Sequence, residues 1–222
     1  MQDYDLLKPN QILRSKRKSL SLVIKNDGEF LVRAPLKMKE EDIFKFIYQK
    51  KDWIIKKRQD QAQHTYPNLT FEKPEKINIL GRSYDILLIQ NSRVKLNETT
   101  LEVPIFKSKE RLVNFLKKYS KNYLSARCAL IAELFDFSYY NITISSAKTC
   151  WGSCSANNTL HFTYKLIMCP EDVIDYIVVH ELCHTKIKNH SAKFWALVET
   201  CCPNYKAQEI WLKKNRGIIE II

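Results

Sequence analysis

The sequence predicts an α+β protein in two parts: a mixed, mostly β N-terminal module with one helix over residues 1–107, and a helix-rich domain over 108–222. Three observations predict it. Apolar residues alternate with polar ones on both sides of an Asn26-Asp27-Gly28 turn, a long amphipathic run follows Pro104, and a later run apolar nearly all round carries His180-Glu181-Leu182-Cys183-His184.

The elements follow in order. Leu20, Leu22 and Ile24 before the turn, and Phe30 and Val32 after it, read as a β-hairpin that Pro35 ends. Lys39 to Gln61 has a helical period, with Ile43, Phe46, Ile47, Trp53 and Ile54 apolar. Ile77 to Ile89, broken at Gly81-Arg82, reads as a second hairpin, and Arg93 to Val103 as two short strands turning near Asn97-Glu98. Pro104 to Ser108 marks the expected domain boundary. Lys109 to Phe135 is a long amphipathic helix with Leu112, Leu116, Leu124 and Ile131 in its apolar stripe. Asn141–Ser146 and Thr159–Ile167 read as strands, and Cys150 to Asn158 between them as loop and turn.

Pro170-Glu171-Asp172 suits a helix start, because Pro fits the first turn and acidic groups complement the N-terminal dipole. Val173 and Ile177 share the His180/His184 face, while Ile174, Val178, Val179 and Leu182 cover the other sides, so the helix is expected to be buried. Asn189 is expected to take a left-handed conformation and turn the chain back. A further helix with Phe194, Trp195, Leu197 and Val198 ends at Pro203.

Two His four residues apart on a helix project from one face, since 3.6 residues complete a turn. One tetrahedral Zn²⁺ can bind both. Glu181 is rotated off that face, yet close enough to serve as general base to a water there. His190 can supply a third ligand after the chain turns, leaving a fourth position open. That is the layout of a catalytic zinc site. Three of the five His in the chain fall within residues 180–190, which argues against scattered surface histidines.

Bulk properties narrow the classes. An apolar fraction of 45% and a charged fraction of 27% are ordinary for a globular protein. No apolar run approaches the ~18 residues needed to span a bilayer, so no membrane contact is expected. The start, MQDYDLLKPNQ, does not read as a secretory signal. Seven cysteines, two of them adjacent, do not suggest a disulfide scaffold; reduced thiols and a cytoplasmic location are expected. The net charge of +12 invites a polyanion, but Lys predominates and the excess is spread along the chain. The one cluster, Arg14, Lys16, Arg17 and Lys18, is a candidate for weak nucleic-acid contact.

Other candidates have plainer readings. Cys150 and Cys154 form no complete metal set without two further ligands. Cys169, Cys183, Cys201 and Cys202 suit apolar filling. His161 is expected to be locally bonded or solvent-facing, Trp195 to lie in the core, and Tyr205 to pack beside Trp211 in preference to donating to an oxyanion.

The segments Trp151-Gly152-Ser153-Cys154-Ser155, Val178-Val179-His180-Glu181-Leu182-Cys183-His184, Asn189-His190-Ser191 and Phe194-Trp195 resemble the YgjP-like zinc metallopeptidase family, of the zincin class and related to SprT-like proteins. Arg14 to Pro35 and Trp53-Ile54 are similar too, so the resemblance covers most of the chain. It implies Zn²⁺ at His180, His184 and His190, Glu181 as the catalytic residue, and a zincin fold: a small antiparallel sheet packed on the buried metal helix, with an edge strand beside the cleft. The family pattern has Arg just before Trp151, where this chain has Cys150. Ile187 stands where metzincins need Gly.

The expected function is zinc-dependent hydrolysis, with a polypeptide substrate received by strand addition at residues 142–146 or 159–165. One alternative is hydrolysis of a nucleotide phosphoanhydride, against which the lack of a glycine-rich phosphate loop counts. A second is a nucleic-acid-associated protease of SprT-like type.

Overall fold

The computed structural model describes residues 7–25, 28–62 and 69–222. The chain forms two compact units, Met1–Tyr66 and Pro67–Ile222.

In the first unit, β3 (Phe30–Pro35) lies between β1 (Gln11–Ser15), parallel to it, and β2 (Ser21–Ile24), antiparallel to it. The β2–β3 hairpin forms as expected; Asn26 and Asp27 of its turn lie outside the described residues. β1 was not legible as a strand, because most of its positions are exposed and no alternation marks it. The helix expected over 39–61 is two, α1 (Glu40–Gln49) and α2 (Lys51–Ala62), broken where Lys50 leaves helical dihedrals (φ −105°, ψ 15°). Phe30, Val32 and Ala34 of β3 pack with Ile43, Ile47 and Ile54 to form the core.

The second unit opens with a four-stranded sheet in the order β4-β5-β7-β6: β4 (Glu75–Ile79), β5 (Arg82–Ile89), β6 (Lys95–Leu96) and β7 (Thr100–Pro104). β4 and β5 are joined by Leu80 and Gly81, at φ +52° and +76°. Two successive positive φ values make a type I′ turn, which matches the strand twist. Helix α3 (Ser108–Leu134) follows, then β8 (Asn141–Ser145), β9 (Gly152–Cys154), β10 (Thr159–Thr163) and α4 (Glu171–Lys186). Helices α5 (Ala192–Cys201) and α6 (Tyr205–Lys214) complete it.

The division at Tyr66/Pro67 falls well before the expected one at 107/108, because the four-stranded sheet belongs with the helices. The Leu80 N–H donates to the Ile167 carbonyl at 2.8 Å, and an added Cβ on Gly81 would lie 3.3 Å from Pro170 Cα. The β4–β5 turn is therefore seated on the segment that enters α4.

The small sheet is mixed rather than antiparallel. β10 is central, parallel to β8 and antiparallel to β9. A tight β9–β10 hairpin fills one flank of β10 and leaves β8 the other flank in the parallel sense. The strand expected to reach Ile167 stops at Thr163, where a buried 3₁₀ turn, Tyr164–Met168, takes over. Nearly every side of α4 is buried, as its composition requires. Two polar contacts join it to α3: the Arg127 guanidinium grips the Asp175 carboxylate with both Nε and Nη2, and the Tyr123 hydroxyl donates to Glu171 at 2.9 Å. Among the described residues, no helix is long and apolar enough to cross a membrane.

Candidate metal centre

His180 and His184 project from one face of α4, one turn apart, and the chain brings His190 back to them. It does so without a left-handed Asn189. Ile187 turns the backbone extended (φ −132°, ψ 106°), and the Asn189 side chain accepts from the Ser191 N–H at 3.3 Å, leading into α5. The Nε2 atom of His190 lies 3.1 Å from Nε2 of His180 and 3.1 Å from Nε2 of His184.

These three nitrogens suit a metal better than one another. His184 Nδ1 is 3.0 Å from the Ile187 carbonyl, which can only accept, so Nδ1 carries the proton and Nε2 presents a lone pair. Lone pairs aimed at one point repel unless a cation sits between them. Bonds of 2.0–2.1 Å in a tetrahedral site put neighbouring nitrogens about 3.3 Å apart, close to the separations seen. His180, His184 and His190 form the one group of three or more His, Cys, Asp or Glu among the described residues whose ligand atoms converge in this way, within 4.8 Å. Burial and the neighbouring imidazoles hold His180 down to about 3, and burial also lowers His184, so both rings are neutral and free to bind.

Glu181 is 5% exposed, and burial pushes its carboxyl up to about 8 in the metal-free chain. A cation beside it would favour the carboxylate and oppose that shift. Its side chain lies against the edge strand β9. A Cβ added to Gly152 would sit 2.8 Å from Glu181 Cγ and 2.8 Å from Oε1. The strand can approach the carboxyl this closely only because residue 152 lacks a side chain.

β9 is an edge. The Thr163 N–H donates to Trp151 O and the Ser155 N–H to Thr159 O, each at 3.0 Å, so Ser153 faces β10 and the main-chain groups of Gly152 and Cys154 face away. The Lys188 ammonium is bonded to Ser155 O at 2.9 Å and Asn158 Oδ1 at 2.5 Å, tying the segment before His190 to the β9–β10 turn. Sequence reasoning read residues 150–158 as loop and missed both the strand and the close approach at Gly152. Three residues of Gly, Ser and Cys carry no alternation. The remaining signal is a glycine held between Trp151 and Ser153 in a chain with only four.

The aromatic residues differ from expectation. Trp195 is not core: it is partly exposed and stacks on His190, with ring centroids 5.7 Å apart. Tyr205 packs, but between Trp195 (5.5 Å) and Tyr176 (6.2 Å) rather than on Trp211. His161 is locally bonded, to Thr143 Oγ1 at 2.5 Å. Cys150 is exposed, all seven cysteines are free thiols, and burial pushes Cys183 up to about 12.

In the basic cluster, Arg14 is committed to the fold, its Nη1 donating to Met38 O at 2.6 Å and reaching Pro35 O and Leu36 O at 3.4 Å. Arg17 is partly buried, and Arg14, Lys16 and Lys18 are exposed.

Among curated proteins, none matches the sequence significantly. Similar solved structures include the metallopeptidase zymogen abylysin of Pyrococcus abyssi, at 21% identity and TM-score 0.38, covering 41% of this chain and 93% of that one. The metallopeptidase zymogen jannalysin of Methanocaldococcus jannaschii is similar at 26% identity and TM-score 0.35, covering 40% and 94%. The profile of the YgjP-like metallopeptidase domain matches residues 18–215, nearly the whole chain, and the protein belongs to the YgjP-like family.

Proposed function

We propose that the protein is a zinc-dependent peptidase of zincin type, with His180, His184 and His190 as the metal ligands and Glu181 as general base. The observation that carries this reading is the convergence of three imidazole Nε2 atoms on α4 and the segment after it, with a buried carboxyl at the next residue to the first ligand. Zn²⁺ held there would polarise the scissile carbonyl and make water acidic enough to attack it near neutral pH.

The chain's own groups do the rest. Glu181 takes the proton of the attacking water and hands it to the leaving amine. Its burial removes competing solvent and keeps the carboxyl close to the reacting atoms. The outward main-chain groups of Gly152 and Cys154 receive an extended peptide as an added strand, which brings a carbonyl of that peptide past Glu181. Of the strands expected to receive it, β10 is paired on both sides, while β8 and β9 are the two edges of the sheet; β9 is preferred because it is the one that lies against Glu181. A polypeptide fits such an edge, and a nucleotide has no strand to add.

The test offers the Zn²⁺-loaded protein an unfolded polypeptide and a nucleoside triphosphate side by side, with His190→Ala as control and elemental analysis of both proteins. The expected result is one zinc per chain and cleavage of the polypeptide alone, with zinc and activity lost together in His190→Ala. Tight zinc in that variant would remove His190 from the ligand set, and triphosphate hydrolysis without proteolysis would reject the peptidase reading.

A further inference from the structure

Imidazole ligands are ordinarily fixed by a hydrogen bond from their second nitrogen to a carboxylate, a backbone carbonyl or water. None of the three His here has a carboxylate partner among the described residues. His184 uses the Ile187 carbonyl, and His180 Nδ1 is buried with no hydrogen-bond partner. His190 is the exposed ligand and the one that lies outside α4.

What encloses the three rings is aromatic, and it comes from the first turn of α5. Phe194 is fully buried and touches all three imidazoles: stacked on His184 at 4.4 Å, and edge-on to His180 at 5.0 Å and His190 at 4.9 Å. Trp195, the next residue, stacks on His190 at an interplanar angle of 28° and meets His180 edge-on at 5.8 Å. Tyr205 backs Trp195, Tyr176 backs Tyr205, and the edge of Tyr176 returns to His180 at 5.9 Å. The run of rings therefore starts on one ligand and closes on another.

We propose that Phe194 and Trp195 are positioning residues for the metal ligands, fixing the imidazole planes by ring packing where other sites use a carboxylate hydrogen bond. The proposal rests on the reading of the three His as a metal site. Trp195 carries the exposed ligand: a loop histidine whose Nδ1 has no hydrogen-bond partner among the described residues keeps its Nε2 on target because a flat indole, itself backed by Tyr205, limits rotation of its ring. A flat ring at 195 is the requirement, and apolar bulk alone does not meet it.

The test compares wild type, Trp195→Leu and Trp195→Phe as full-length chains, titrated with Zn²⁺ alone in competition with a chromophoric chelator, alongside the melting temperature of each metal-free protein. Outer partners of metal ligands typically contribute about 10- to 100-fold in affinity. Trp195→Leu is expected near the lower end, about tenfold weaker, because Phe194 remains. Trp195→Phe is expected to recover most of that loss, even if both variants melt at the same lowered temperature. Unchanged affinity in Trp195→Leu, or an equal loss in Leu and Phe variants, overturns the proposal. Absence of tight Zn²⁺ binding in wild type would instead reject the metal site on which it rests.

Discussion

Glu181→Gln is expected to keep its metal and its fold and to lose about 10²–10⁴-fold of its hydrolytic rate, the usual cost of removing a general base. The amide has nearly the shape of the carboxyl, so the contact with Gly152 survives. It can hydrogen-bond to the attacking water but cannot take its proton. The side chain is 5% exposed, and its carboxyl is driven up to about 8 by burial when no cation is near. Near neutral pH the metal-free carboxyl is therefore largely protonated, and a neutral amide of the same shape costs about as much to bury, so the metal-free variant should melt close to wild type. Elemental analysis should return the wild-type zinc content, since none of the three imidazoles is altered. Cleavage of a polypeptide at the wild-type rate by the Gln variant would show that Glu181 is not the base.

The three-His cluster was legible because its residues are local in sequence. Helix geometry alone puts His180 and His184 on one face, and His190 lies six residues on, within reach of any turn that reverses the chain. The turn itself was misread. Asn189 tolerates the left-handed region, but the reversal is made by extended Ile187, whose carbonyl is also wanted by His184 Nδ1. That demand comes from the histidine cluster, and no propensity of Asn reveals it.

The β9 strand was illegible for a related reason. It owes its conformation to pairing with β10 and to the carboxyl beneath it, both of which are tertiary. β1 has the same character: exposed residues held by a parallel partner some twenty positions away. The boundary at Tyr66/Pro67 was missed because Pro104 to Ser108 carries the stronger local break, whereas membership of the four-stranded sheet is decided by contacts such as that of Leu80 with Ile167. Trp195 shows the limit of periodicity on a helix. A period tells which face is apolar, but not that the neighbouring surface is an imidazole.

Gly152→Ala is expected to leave the zinc content unchanged and to lower turnover by about 10²-fold, the scale reached when a reacting group is displaced by about 1 Å. Gly152 does not have a positive φ, so alanine meets no backbone strain and the whole effect comes from one contact. Its Cβ would stand 2.8 Å from both Cγ and Oε1 of Glu181 and 3.1 Å from Cδ, inside van der Waals separation. One side must yield. If the carboxyl moves, kcat falls and KM for a polypeptide changes little. If β9 retreats, the receiving edge moves away from the metal and KM rises as well, so the split between the two constants reports which side gives way. The double variant with Glu181→Gln separates this from a general loosening of the sheet. Two substitutions that act through the same group are not additive, and the double variant should be scarcely slower than Glu181→Gln alone. A further 10²-fold loss in the double variant, on the same scale as the single, would mean that Gly152 acts on the substrate strand independently of Glu181. Wild-type turnover in Gly152→Ala would mean that the carboxyl has room to spare, and that the close approach of strand and base has no part in the chemistry.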